Sequence, residues 1–168
     1  MHILSTTRLS LDVMSPEDAP FYLDLINQPS FIANIRDKGI RTLEGAAEDI
    51  RDGALTSQRE HGFSLFRVSL RASGEAIGMC GLVRRDTLPE VDIGYAFLPQ
   101  FWGQGYAWEA ASAVRDYARQ TVGLKRLMGI TSPDNLASLK LLQKLGMEII
   151  EANGIHNEKA TTILVMDL

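Results

Sequence analysis

Gly103 and Gly105 interrupt the run Phe97-Leu-Pro-Gln-Phe-Trp-Gly-Gln-Gly-Tyr-Ala107, between a strand-like stretch and a long helical one. A helix that opens straight from a glycine loop leaves free backbone N–H groups at its N-terminus, and the glycines let an anion approach them. A diphosphate suits such a cradle in size and charge. Tight strand-to-helix turns also call for glycines on structural grounds alone. The run contains neither the Gly-Lys-Ser/Thr of a P-loop nor a full G-x-G-x-x-G. A second polar pair, Asn135 and Ser138, falls at another strand-to-helix junction, with Ser138 one turn into the helix. Cys80 is the one cysteine, which excludes an intramolecular disulfide and a Cys-based zinc cluster. It lies in an apolar stretch and reads as a small hydrophobe. His2, His61 and His156 have no paired spacing, so no metal is expected.

Those residues need elements to hold them. The chain has 168 residues, 45% hydrophobic and 23% charged, with a formal net charge of −4 and a pI of about 5.4. This is the balance of one soluble domain spanning 1–168. The mild acidity disfavours a nucleic-acid partner. The longest stretch without a charged side chain, Ile93 to Trp108, holds Gly94, Pro99, Gln100, Gly103, Gln104 and Gly105, so no membrane span is expected. The opening MHILSTTRLSL lacks a basic leader and a long apolar run, and predicts a cytoplasmic protein.

Alternation predicts a first strand at Arg8–Val13. Ser15-Pro16-Glu17-Asp18 reads as a capped helix start, running to about Asn27 and stopped by Pro29. A second helix is expected from Thr42 to near Gly53. Strands follow at Phe63–Leu70, Ala76–Val83 and Val91–Leu98, joined as hairpins. A long helix from about Gly105 to Val122 carries an apolar stripe of Tyr106, Ala110, Ala113, Val114 and Tyr117. Arg126–Thr131 is a strand, Asn135–Leu145 a helix closed by Gly146, and Glu148–Glu151 and Thr161–Asp167 are final strands. The fold class is α+β: a mixed, mostly antiparallel sheet of six to seven strands flanked by about four helices. The hairpins before the glycine loop contradict the alternating order of a Rossmann enzyme. Trp102 and Trp108 are expected in the core, with packing against a bound cofactor as the alternative.

Together, Asp92-Ile-Gly-Tyr95, Trp102-Gly-Gln-Gly-Tyr-Ala107 and Asn135-x-x-Ser138 resemble the GNAT (Gcn5-related) N-acetyltransferase superfamily, in its RimJ/RimL-type branch. The resemblance covers most of the chain, from Arg8-Leu-Ser-Leu11 to the last strand. Gln100-x-x-Gly103-x-Gly105 fits the superfamily's phosphate motif literally. Pro99, however, points to Trp102-Gly-Gln-Gly105-Tyr-Ala107 as the register, with Trp102 in place of the usual Gln or Arg.

The resemblance implies acetyl transfer from acetyl-CoA to a primary amine, by direct attack through a tetrahedral intermediate and without a metal. The acceptor would be a protein N-terminus or a small molecule. The expected cofactor-binding residues are Phe97, Leu98, Gly103, Gln104, Gly105, Tyr106, Ala107, Asn135 and Ser138. A backbone N–H near Phe97 or Leu98 would polarise the thioester carbonyl. Asp92 is the candidate base, ahead of Glu90, and would otherwise be a solvated strand-end carboxylate. The tyrosine acid of many relatives is replaced by Leu142. That leaves Ser138 as the hydroxyl for the leaving thiolate, or as a cofactor contact only. Asn34, Arg36, Asp37 and Arg41 fall where the family shapes its acceptor site, and His61 could border an acceptor groove. A small-molecule acyltransferase and a non-catalytic acyl-CoA-binding protein are the alternatives. The chain is expected to be a monomer or homodimer.

Overall fold

The computed structural model describes all 168 residues as eight strands in one sheet and six helices. The strands are β1 (His2–Ser5), β2 (Leu9–Val13), β3 (Leu65–Leu70), β4 (Ala76–Val83), β5 (Asp92–Phe97), β6 (Arg126–Thr131), β7 (Glu148–His156) and β8 (Lys159–Asp167). Their order across the sheet is β1-β2-β3-β4-β5-β6-β8-β7. Every neighbouring pair is antiparallel except β5 and β6. The mixed α+β class holds, with eight strands in place of six or seven. The additional strand is β1, a four-residue piece before the first expected strand.

The helices are α1 (Ala19–Ile26), α2 (Pro29–Asn34), α3 (Leu43–Ile50), α4 (Thr56–His61), α5 (Tyr106–Tyr117) and α6 (Leu136–Leu145). The first helix stops where expected, with α1 ending at Ile26 before Pro29, but the stop at Gly53 is absent. Pro29 opens α2 at its first position, where proline's missing N–H is harmless. Gly53 sits inside a π turn, Arg51–Leu55, that joins α3 to α4. The rod ends instead at Gly62, in the left-handed region at φ 79°. The Thr42 hydroxyl caps its start by accepting from Gly45 N–H at 3.0 Å.

Helices cover both faces. Phe66, Cys80, Leu82, Ile93, Phe97 and Leu127 pack with Ala110, Ala111, Val114 and Leu142 in the largest core cluster, under α5 and α6. On α5 the buried stripe uses Ala111 where Ala113 was expected, a shift in phase around the helix. The opposite face joins Met79 and Leu98 to Tyr22, Leu25, Phe31, Ala46 and Ile50 under α1–α3. No helix is long and apolar enough to cross a membrane.

Candidate active site

The sheet opens between β5 and β6. These parallel strands share one register pair, Asp92 with Met128, closed by the Met128 N–H donating to Val91 O at 2.9 Å. Beyond it they diverge. On the other side of β5, pairing with β4 runs from Asp92–Val83 to Phe97–Gly78. Leu98 N–H then donates to Ile77 O at 2.9 Å. Antiparallel alternation therefore turns the N–H groups of Tyr95 and Phe97 away from β4 and into the splay. Of the two residues expected to offer a backbone donor, Phe97 qualifies and Leu98 does not, because its N–H is already engaged. Tyr95 is the second free donor.

The glycine loop stands at the open end. Gly103 and Gly105 have φ of 75° and 83°, in the region glycine alone enters readily. Gly105 caps α5 without a side-chain bond, leaving the first N–H groups of the helix uncapped. A Cβ at Gly103 would meet nothing within 4 Å, so the loop faces open space. Gln104 is exposed, and Tyr106 and Ala107 are half-buried. Trp102 is 54% exposed, contrary to the core placement expected for it. Its indole N–H donates to Phe97 O at 2.9 Å, fastening the loop to the end of β5. Trp108 is half-buried, with the Lys144 ammonium 4.2 Å above its ring.

Across the splay, Asn135 caps α6 by accepting from Ser138 N–H at 3.2 Å. The Ser138 hydroxyl lies 2.8 Å from the Tyr95 hydroxyl. Sequence reasoning missed Tyr95 because the familiar tyrosine position lies on α6, where Leu142 is buried in the core. Burial pushes the Tyr95 phenol up to about 12, against its hydrogen bond with the Ser138 hydroxyl.

Asp92 differs most from a solvated strand-end carboxylate: it is 1% exposed. Ile93 and Phe97 point under α5 and α6. Alternation therefore turns Asp92 to the α1–α3 side, where Ala96 and Leu98 also pack. The loop after β4 folds back so that Arg85 Nε donates to Asp92 Oδ1 at 3.0 Å. Oδ2 is buried without a partner. Burial raises the carboxyl to about 6, opposed by the charge and hydrogen bond of Arg85. Glu90 is half-buried.

A cavity of about 340 Å³ lies on this same side, between the π turn and β4. Val83, the register partner of Asp92, lines it, as do Met79, Lys38, Asp49, Tyr22 and His61. Asp49 accepts from Tyr22 Oη at 2.6 Å and pairs with Lys38 Nζ at 2.8 Å. Burial would raise its carboxyl, but those two hydrogen bonds together with the charges of Lys38 and Arg36 outweigh it, and the net shift is downward. Of the acceptor-loop residues, Asp37 and Arg41 pair with each other at 2.8 Å on the surface, while neighbouring Lys38 enters the cavity. The β7–β8 turn reaches the same side. Lys159 Nζ donates to Ile35 O at 3.0 Å, and the Thr87 hydroxyl meets His156 Nε2 at 2.7 Å.

A splayed parallel pair with free backbone donors, an uncapped helix N-terminus and a buried carboxylate defines a scaffold for acyl transfer. Comparison with known proteins agrees. The family model described as an acetyltransferase (GNAT) domain matches residues 8–148, and the chain belongs to that family. It is 31% identical over 150 residues to YkkB, an uncharacterized protein of Bacillus subtilis (strain 168), covering 86% of this chain and 84% of that one. It is 28% identical over 147 residues to YoaA of the same organism, named an N-acetyltransferase, covering 87% and 82%. Among solved structures it superposes on RimL, a ribosomal L7/L12 α-N-protein acetyltransferase in complex with coenzyme A. The TM-score is 0.82 over 100% of this chain and 98% of that one, at 16% identity. The protein is an N-acetyltransferase of that family, and its likeness to RimL is one of fold.

Proposed function

We propose that this acetyltransferase takes its acetyl group from acetyl-CoA lying in the β5–β6 splay. It would pass that group directly to a primary amine of modest basicity, an α-amine in preference to a lysine. The observation that carries the reading is Asp92, whose buried carboxyl has one oxygen held by Arg85 and the other free.

Acetyl-CoA supplies the activated acyl group. The N–H groups from Gly103 to Ala107 receive the diphosphate, at the positive end of α5. Gln104 and Tyr106 belong to that cradle through their backbone. The Tyr95 and Phe97 N–H groups hold the pantetheine arm and the acyl oxygen, where negative charge develops. Asn135 and Ser138 form the opposite wall. Asp92 lies about 10 Å from Tyr95 at ~3.4 Å per residue, so its proton passes through water.

The basicity of the amine follows from proton affinities. An α-amine with pKa about 7.7–8.0 is roughly a tenth neutral at pH 7, and a lysine at about 10.4 is neutral only a few times in ten thousand. A base near 6 suits the first. A thiolate of pKa about 8.5 leaves without prior protonation. The Ser138 hydroxyl needs only to donate a hydrogen bond to it. Tyr95, whose phenol stays protonated, orients that hydroxyl.

The test incubates the protein with acetyl-CoA and a panel of amines and measures free thiol. Peptides with a free α-amine should exceed N-blocked lysine peptides by tenfold or more. Release only with polyamines would overturn the basicity argument. Acetyl-CoA binding without thiol release from any amine would leave an acyl-CoA-binding protein.

A further inference from the structure

The turn between β1 and β2 lies against the glycine loop, with Arg8 96 positions before Gln104 in the chain. Arg8 grips that loop by three routes. Its Nη1 donates to Gln104 O at 2.9 Å, its Nε donates to Glu109 Oε1 at 2.8 Å, and its guanidinium lies 4.3 Å from the centre of the Tyr106 ring. The Arg8 backbone N–H donates to Glu109 Oε2 at 2.9 Å, and the Thr6 hydroxyl donates to the same oxygen. Arg71 braces the turn from behind, with Nη1 donating to Thr6 O at 2.9 Å. A Cβ on Gly105 would come within 3.3 Å of Arg8 Nη2, so the guanidinium touches the residue that caps α5.

Glu109 makes this arrangement consequential. It sits in the first turn of α5, where a carboxylate favours the helix dipole but repels a second anion on the same N–H groups. Burial would raise its carboxyl, yet the hydrogen bonds from Thr6 and Arg8 outweigh that and hold it below the usual range. Glu109 is therefore a permanent negative charge beside the cradle, and Arg8 is its counter-charge at 2.8 Å.

We propose that Arg8 is a positioning residue for the cofactor diphosphate, cancelling Glu109 and, by holding the Gln104 carbonyl back, keeping the loop N–H groups turned outward. The inference rests on the reading that this loop holds acetyl-CoA. Arg8 orders the loop without contributing to the transfer itself. Its removal therefore acts on cofactor affinity, and the loss is largely reversed when Glu109 loses its charge as well.

The experiment compares R8M, R8K, E109Q and R8M/E109Q by calorimetry with acetyl-CoA and by steady-state kinetics, with thermal melts as the folding control. R8M should weaken acetyl-CoA binding tenfold or more. The loss should fall on KM for acetyl-CoA, with kcat at saturation moving less than threefold. It should shrink at high salt, as screened repulsion does. R8K, which keeps the charge and loses the forked geometry, should fall between R8M and wild type. The double variant should recover to within threefold of E109Q. A double variant as weak as R8M, or a loss confined to kcat, would overturn the proposal. If R8M does not fold, R8K decides: binding equal to wild type would overturn the proposal as well. Wild-type protein that does not bind acetyl-CoA would instead defeat the reading of the loop itself, so the two failures are distinguishable.

Discussion

At its Phe97 end β5 offers backbone: free N–H groups, a glycine-turned loop and a helix terminus, all formed by residues close together in the chain. At its Asp92 end it offers one side chain, and everything that tunes that side chain comes from elsewhere. Arg85 arrives on the β4–β5 loop, Met128 on β6, and the neighbouring cavity is walled by α1 and the α3–α4 rod. The open end suits a partner whose chemistry does not vary, since backbone donors tolerate almost any side chain around them. The closed end suits proton transfer and selection of an acceptor, where burial and charge must be adjusted residue by residue. Substitutions at the two ends should therefore fail in different ways: in affinity at the first, in rate and pH dependence at the second.

The largest effect is expected at the open end. Gly105→Val forces a β-branched residue to φ 83°, a strain of about 1–3 kcal/mol, and brings its Cβ within 3.3 Å of Arg8. It also fills the approach to the first N–H groups of α5. Acetyl-CoA affinity should fall by about 100-fold or more, which is ~2.7 kcal/mol, while the circular dichroism spectrum stays that of the wild type. Unchanged affinity by calorimetry would remove the loop as the diphosphate cradle.

Asp92→Asn breaks the other side of the comparison. Loss of a general base lowers kcat/KM by ~10²–10⁴, and acetyl-CoA affinity should barely move. In the wild type, activity should fall as pH drops through about 6, when the carboxylate takes up its proton. The variant should lack that limb and gain activity only toward higher pH, where the free amine is more abundant. Stability shifts in the opposite sense. The folded-state carboxyl is raised, so the fold favours its protonated form, and that stability is lost as pH rises from the unfolded value near 4 through about 6. Between pH 4 and pH 7 the stability difference should therefore move in the variant's favour by ~1–3 kcal/mol, read from urea melts. Identical pH–rate profiles would exclude Asp92 as the base.

The same division decides how much the sequence revealed. The glycine loop, the Asn135 cap and the limits of β4 follow from local rules and appear where alternation, capping and φ preference put them. The α3–α4 rod does not. Gly53 lowers helix propensity by ~1 kcal/mol, but the π turn absorbs it and packing beneath Ala46 and Ile50 carries the rod onward. The burial of Asp92 was equally hidden, because it depends on the return of Arg85 through a loop with no periodic signal. Trp102 misled through size: a large aromatic suggests core, yet its indole serves as a hydrogen-bond donor at the end of β5. Tyr95 escaped because its partner, Ser138, is 43 positions away and meets it only across the splay.

That pair supplies the smallest and most discriminating test, since it bridges the two walls between the ends of β5. Tyr95→Phe deletes the hydroxyl's short bond to Ser138 Oγ and its longer one to Ser138 O, and leaves the ring packed on the core, so the thermal midpoint should change little. A hydrogen bond worth about 1 kcal/mol corresponds to a fall of about fivefold in kcat. Ser138→Ala should cost at least as much, since it removes the hydroxyl proposed to meet the departing sulfur. The double variant should be no slower than Ser138→Ala alone, because a tyrosine that only orients the serine has nothing left to orient. Additive losses would mean that Tyr95 meets the cofactor by itself. They would move the tyrosine from a supporting position to a direct one, on the same footing as the base proposed at Asp92.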